Sequence, residues 1–242
     1  MKARGFPRRD INQQYLTESD YVPAIVEGSC RLHFHQLIRP LVFLQASVSF
    51  PVRLVRTALV YYALGQDDWV LAEVDGIVAD ANALPAADWA VFVIGEEYYL
   101  DAHTDSKTCA TLTENGKELL PKAIAIWGRI IEDMPDTAHT PDAWYFSGAA
   151  YRKMGDIEQM ICCYQAVVDG WPGFKYNWSA QALIGWGYEA LKQRGLMTAE
   201  EADPRIEDAC LETFAKYPKT SLTRLARDGL LRLLYPGVKL LD

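Results

Sequence analysis

Histidine is scarce in this sequence of 242 residues: only His33, His35, His103 and His139 are present. A metal centre or a histidine-based catalytic triad therefore has few places to form. His33 and His35 share a face only if their segment is extended. His103 stands in the run Asp101-Ala102-His103-Thr104-Asp105, which reads as a solvated loop. No glycine-rich phosphate loop, nucleophile elbow or HExxH helix occurs, and Gly185-Trp186-Gly187 falls inside a helical pattern. The acidic pairs Asp67-Asp68, Glu96-Glu97 and Glu200-Glu201 are adjacent in helices or turns, so their carboxylates diverge instead of facing one another across a substrate. The sequence thus predicts no catalytic residue, no cofactor and no bound metal, and the protein is expected not to be an enzyme.

A basic surplus is also missing, since 24 lysines and arginines stand against 32 acidic residues for a net charge of −8. Proteins that bind nucleic acid in general need the opposite balance to displace counterions, so no nucleic-acid partner is expected. The one acid-free basic cluster is Lys2, Arg4, Arg8 and Arg9. Five cysteines make an odd set without a CxxC pair, which points to free thiols in the cytoplasm or another reducing compartment. The vicinal Cys162 and Cys163 read as small core residues. No signal-peptide pattern is visible, because the basic start runs into Asp10, Asn12 and Gln13. The most apolar window, Leu37 to Val60, is broken by Arg39, Pro40, Gln45, Pro51, Arg53 and Arg56. It does not read as a membrane-spanning helix.

What is abundant is hydrophobic residues, half of the chain, set at three- and four-residue spacing between short Pro, Gly, Asp and Asn breaks. Strand signals are nearly absent. The spacing predicts helices from Pro51 to Gly65, from Gln66 to near Asn82, from Asp88 to Asp101, and from Glu118 to Met134. Further helices are predicted from Pro141 to Gly155, Ile157 to Gly170, Tyr176 to Arg194, Ala202 to Lys216 and Ser221 to Leu234. Gly195 reads as a left-handed cap. Residues 1–50 form an N-terminal extension in which 15–28 and 32–50 could each be helical.

These helices repeat. From Trp144 the chain carries Ser147-Gly148, Tyr151, Gly155, Met160, Tyr164, Val167 and Pro172. Gly148 is small enough for a second helix to lie close, Tyr151 and Tyr164 fill the space between, Gly155-Asp156 turns the chain and Pro172 stops it. Looser copies flank this one. Ile94-Gly95, Tyr98, Ala123, Trp127, Ile130 and Pro135 precede it, and Ile184-Gly185, Tyr188, Ile206, Cys210 and Pro218 follow. In outline, Ala58, Tyr61, Gly65 and Ile77 add a further copy.

The pattern closely resembles the tetratricopeptide repeat and covers about three quarters of the chain. The resemblance implies an all-α fold, a right-handed superhelix of helical hairpins over 51–242. Its repeats are 51–85, 88–137 with an insertion at 102–117, 141–174 and 178–220, closed by a capping helix at 221–235. At least three stacked units and a cap are what such a core needs. The insertion, which holds four threonines with Asp105, Ser106 and Asn115, reads as a mobile or partner-ordered loop.

In proteins of this kind the first helix of each pair lines a concave groove that binds a peptide. Laid on this sequence, the resemblance nominates Phe92, Glu96 and Tyr99 (with Trp89), then Tyr145, Arg152 and Lys153 (with Asp142 and Ala149), then Trp186 and Glu189 (with Ala182). Aromatics beside Arg152 and Lys153 suit an acidic, amphipathic protein or peptide. The carboxylate clamp that grips chaperone C-termini needs Lys and Asn where Tyr145 and Ala149 stand, so that activity is not implied. The expected function is an interaction module, an adaptor or scaffold. The alternative is a structural subunit packed permanently in a larger assembly, through which alone it would meet a membrane. Seven tryptophans and the apolar stretch 37–60 favour that alternative.

Overall fold

The computed structural model describes residues 50–82, 84, 86–105, 109–218, 220 and 222–235, with side chains from residue 55 onward. Nine helices run through the described residues. They are α1 Phe50–Ala63, α2 Asp67–Ala79, α3 Ala87–Asp101, α4 Gly116–Asp133, α5 Thr140–Met154, α6 Ile157–Gly170, α7 Asn177–Gln193, α8 Ala199–Lys216 and α9 Thr223–Leu234. Among the described residues the extended contact is an isolated antiparallel bridge between His103 and Leu112. The fold is all-α, built of helical hairpins. The expectations for residues 1–49 fall outside the described residues, so the division into an extension and a repeat domain stays an expectation.

Two compact units are found, one ending at Thr140 and one starting at Pro141. In the first, α1 pairs with α2 and α3 with α4, and α3 also packs on α1 and α2. In the second, α7 packs on α6 and α8, and α9 lies on both α7 and α8.

Paired helices meet where the first of them is smallest. A Cβ on Gly148 of α5 would stand 2.8 Å from Cε1 of Tyr164 on α6. One on Gly95 of α3 would stand 2.5 Å from the indole nitrogen of Trp127 on α4, whose N–H donates to the Phe92 carbonyl at 3.1 Å. One on Gly185 of α7 would lie 3.3 Å from Sγ of Cys210 on α8. Trp127 and Tyr164 are fully buried, as is Ala58 at the matching place in α1. Because interiors are close-packed, these positions set how near the two helices lie. The turns between paired helices use left-handed backbone at Gly155 (φ +85°) and Gly195 (φ +70°), a conformation glycine adopts without strain. The helix α8 starts three residues before the predicted Ala202, because Thr198 and Glu201 cap each other's backbone N–H groups.

The second helices of the later hairpins end alike. Their C-cap residues Met134, Trp171 and Tyr217 leave helical backbone with φ of −134°, −135° and −134°. Each precedes a proline, Pro135, Pro172 or Pro218, which disfavours helical geometry in the residue before it. Six residues on, a polar side chain donates to the carbonyl of that C-cap residue, which at Trp171 also accepts the Phe174 N–H at 2.9 Å. Thr140 Oγ1 donates to Met134 O at 2.9 Å, Asn177 Nδ2 to Trp171 O at 2.8 Å, and Thr223 Oγ1 to Tyr217 O at 2.9 Å. The returning residue is in each case the first of the next helix.

Part of the 102–117 insertion pairs with itself. Among its described residues the Thr104 N–H donates to the Thr111 carbonyl and the Thr113 N–H to the Ala102 carbonyl, both at 2.9 Å. Ala102 and Gly116 are buried. His103 is buried too, not solvated, and its Nδ1 lies 2.6 Å from the Tyr99 carbonyl. Threonine-rich composition reads as loop, yet these described backbone groups pair with one another.

Gly148→Ala is expected to cost about 1–3 kcal/mol by overpacking against Tyr164. Gly128→Ala, where an added Cβ meets nothing within 4 Å, should instead stabilise by about 0.5–1 kcal/mol. Denaturant unfolding of the two variants reads the contrast, and a neutral Gly148→Ala would contradict the close approach. Thr140→Val, which removes a fully buried hydroxyl from the Met134 carbonyl, should cost about 1–3 kcal/mol in the same measurement.

Candidate functional site

The second unit brings together one set of residues that the sequence nominated separately. Tyr145, Ala149 and Arg152 follow one another along α5 at spacings of four and three, which places them on one face. Ser179, Ala182, Trp186 and Glu189 do the same on α7. The Tyr145 hydroxyl and Ser179 Oγ share a hydrogen bond of 2.9 Å, tying the two helices. The Tyr145 ring stacks on Tyr176 with centroids 5.0 Å apart and meets Phe146, Tyr164 and Phe174 at 5.4, 5.5 and 5.9 Å. Lys175 places its ammonium 5.0 Å from the Tyr176 ring centre and 3.1 Å from the carboxylate of Asp142, which is buried.

This cluster is rigid and apolar, with charge at its edge. Burial pushes the Tyr145 phenol above its ordinary range, while the Ser179 hydrogen bond and the Arg152 charge pull the other way. The phenol is therefore protonated at neutral pH and available as a donor. Arg152 is half-buried, and among the described residues no carboxylate pairs with it.

The nominated residues divide by burial. Tyr145, Arg152, Lys153 and Trp186 are half-buried, and the Trp186 ring also packs against the core of the unit, which includes Ile157, Met160 and Ile184. Phe92, Glu96, Tyr99 and Glu189 are buried, contrary to the open groove expected of them. Phe92 stacks on Trp127 and His139 at 6.0 and 5.3 Å, and Tyr99 packs against Trp127 and His103 at 5.7 and 4.7 Å. Glu189 receives both Nε and Nη2 of Arg232, the latter at 2.7 Å, so it fastens α9 to α7. Ala149 and Ala182 are buried as well. Sequence reasoning missed Phe146, Phe174, Lys175, Tyr176 and Ser179. The run Phe174-Lys175-Tyr176 behind Pro172-Gly173 was the available signal.

The vicinal thiols separate. Cys162 is exposed, not a core residue, and Cys163 is buried, because neighbours on a helix point about 100° apart. Burial first, with Cys162 and Asp156 adding to it, pushes the Cys163 thiol up to about 12. Cys210 rises to about 11, mainly by burial. Among the described residues no group of three or more His, Cys, Asp and Glu side chains could hold a metal ion. No helix among them is long and apolar enough to cross a membrane.

Mild alkylation of the native protein should therefore modify Cys162 and spare Cys163 and Cys210, since the thiolate is the nucleophile. Peptide mapping reads this, and equal labelling of Cys162 and Cys163 would contradict the assigned faces. Arg232→Leu leaves Glu189 buried without its guanidinium and should cost about 1–3 kcal/mol. The loss should appear first as faster amide exchange in α9.

No family model and no curated protein matches the chain. Solved structures do. Two forms of a protein of Podosopora anserina, described as a kinesin light chain with nearly identical TPR-like repeats, are similar to it at 15% and 14% identity. The first match covers 77% of this chain and 95% of that one with a TM-score of 0.33, the second 78% and 100% with a TM-score of 0.32. In this chain the glycine contact recurs in three hairpins, at Gly95, Gly148 and Gly185, and a proline follows the second helix of each of the three.

Proposed function

We propose that this protein is a non-enzymatic interaction module whose α5–α7 face takes an acidic, amphipathic peptide or protein segment. The observation that carries the reading is Arg152, half-buried and without a carboxylate partner among the described residues, two helical turns from Tyr145. An unneutralised guanidinium at the edge of an aromatic cluster favours an acidic group on the partner, and the rings favour an apolar anchor beside it. Fixing Tyr145 to Ser179 lowers the ordering cost of binding. Trp186, half-buried on α7, supplies further apolar surface. Lys153 would add to the charge that steers association.

A second reading, a subunit held in a permanent assembly, draws on different residues. Trp69 is 56% exposed and stacks on Tyr61 at 5.7 Å, and Leu234 and Tyr235 are 60% and 57% exposed at the end of α9. Large apolar side chains so displayed are the raw material of a protein contact.

Titration with acidic, amphipathic peptides separates the two. On the first reading Arg152→Glu weakens binding about tenfold, chiefly by slower association, and the effect shrinks as salt rises. Trp186→Ala costs about 2 kcal/mol of binding and also some stability, because its ring shares the core. Unchanged affinity in both variants would overturn the α5–α7 assignment. Binding lost only on Trp69→Ala would favour the second reading.

A further inference from the structure

The helix α9 is held more lightly than the helices it covers. Of its twelve residues Ala226 and Gly229 are buried, whereas α7 buries twelve of seventeen. Beneath it, α7 and α8 form a seat. A Cβ on Gly229 would stand 3.2 Å from Sγ of Cys210 on α8. Leu230 packs on the cluster of Ala202, Ile206, Cys210 and Ala226, and Leu225 on the core that holds Ile184 and Ala209. The Arg232 guanidinium fastens α9 to α7 through the buried Glu189 carboxylate, which Gln193 of the same helix also reaches, at 3.3 Å.

Leaving the seat costs α9 little. Arg232 and Glu189 return to water when they part, and their hydration offsets much of the lost ion pair. The apolar contact rests on half-buried leucines and on two residues with almost no side chain. Without α9, α7 keeps its packing on α6 and α8. The seat asks for a small pair at the centre of a helix, a leucine on either side and a guanidinium three residues past the glycine. A helix that meets these terms is α9 of another copy. We propose that α9 is an exchangeable arm, which the α7–α8 seat of a second copy takes in place of its own, so that two chains trade arms in a closed pair. The contacts of the seat are the same in both forms, so concentration and the hinge at 217–222 choose between them. The short hinge, tied by Thr223 Oγ1 to the Tyr217 carbonyl, favours the chain's own arm in dilute solution. The exchange does not rest on the α5–α7 reading, which concerns Tyr145, Arg152 and Trp186.

Reversing the two charges one at a time tests the exchange. In Arg232→Glu the arm repels its own seat, and in Glu189→Arg the seat repels its own arm. In each variant alone, Cys210 should be alkylated at least about tenfold faster than in the unaltered protein, because α9 opens. Cys163, on α6, should stay spared. In an equal mixture the arm of each variant suits only the seat of the other. The mixture should regain the protection of Cys210 and run at twice the monomer mass in size-exclusion chromatography with light scattering. The double variant Arg232→Glu/Glu189→Arg should regain protection by itself. A mixture that stays monomeric with Cys210 open would overturn the proposal. So would single variants that leave Cys210 as slow as before. Cys163 opening together with Cys210 would also overturn it, because the seat would then not outlast the loss of its arm.

Discussion

The structure depends on one steric constraint, the close approach of paired helices at a residue with almost no side chain. Gly148 against Tyr164 and Gly95 against Trp127 leave no room even for a methyl group. At Gly185 the neighbour is Cys210, and the fit is slightly looser. Because the apposed aromatic is itself fully buried, the contact sets the distance at which all other side chains between the two helices must fit. Close packing converts a missing Cβ into a fixed geometry. The second constraint follows from chain ends. Where a proline stops a helix, Thr140, Asn177 or Thr223 donates from the start of the next helix to the carbonyl of the residue before that proline.

Together these devices hold the face on which the functional reading rests. Tyr145 lies three residues before Gly148 on α5, so the turn that packs against Tyr164 also orients its ring. Asn177 opens α7 and bonds the Trp171 carbonyl, which sets the start of the helix bearing Ser179. The aromatic cluster and its Tyr145–Ser179 bond are thus positioned by local rules with no function of their own. At the far end of α7, Glu189 is committed to Arg232, which makes it a structural residue in spite of its place in the repeat.

Much of this was legible in the sequence, because glycines, prolines and hydrophobic spacing act locally. The bounds of α6 coincide with the predicted Ile157 to Gly170, and Gly155 and Gly195 have the left-handed backbone expected of their turns. Burial was less legible, since it depends on what lies across from a residue. Phe92, Glu96 and Tyr99 are assigned to an open face by repeat register alone. The run Ala90-Val91-Phe92-Val93-Ile94 already marks a surrounded helix. For Cys162 and Cys163 adjacency suggested a shared environment, whereas the helix turns them to opposite fates. His103 escaped because a polar sequence context hid a backbone turn that buries it.

The central claim is that glycine against aromatic sets the hairpin, and a double-mutant cycle on Gly148 and Tyr164 tests it most directly. Gly148→Ala, Tyr164→Leu and the double variant would be compared by denaturant unfolding. If the methyl group and the ring compete for one space, removing the ring relieves the methyl's penalty. The double variant is then more stable than the sum of the single losses by about 1 kcal/mol or more. Strict additivity would show that the two residues do not share that space, and would contradict the account.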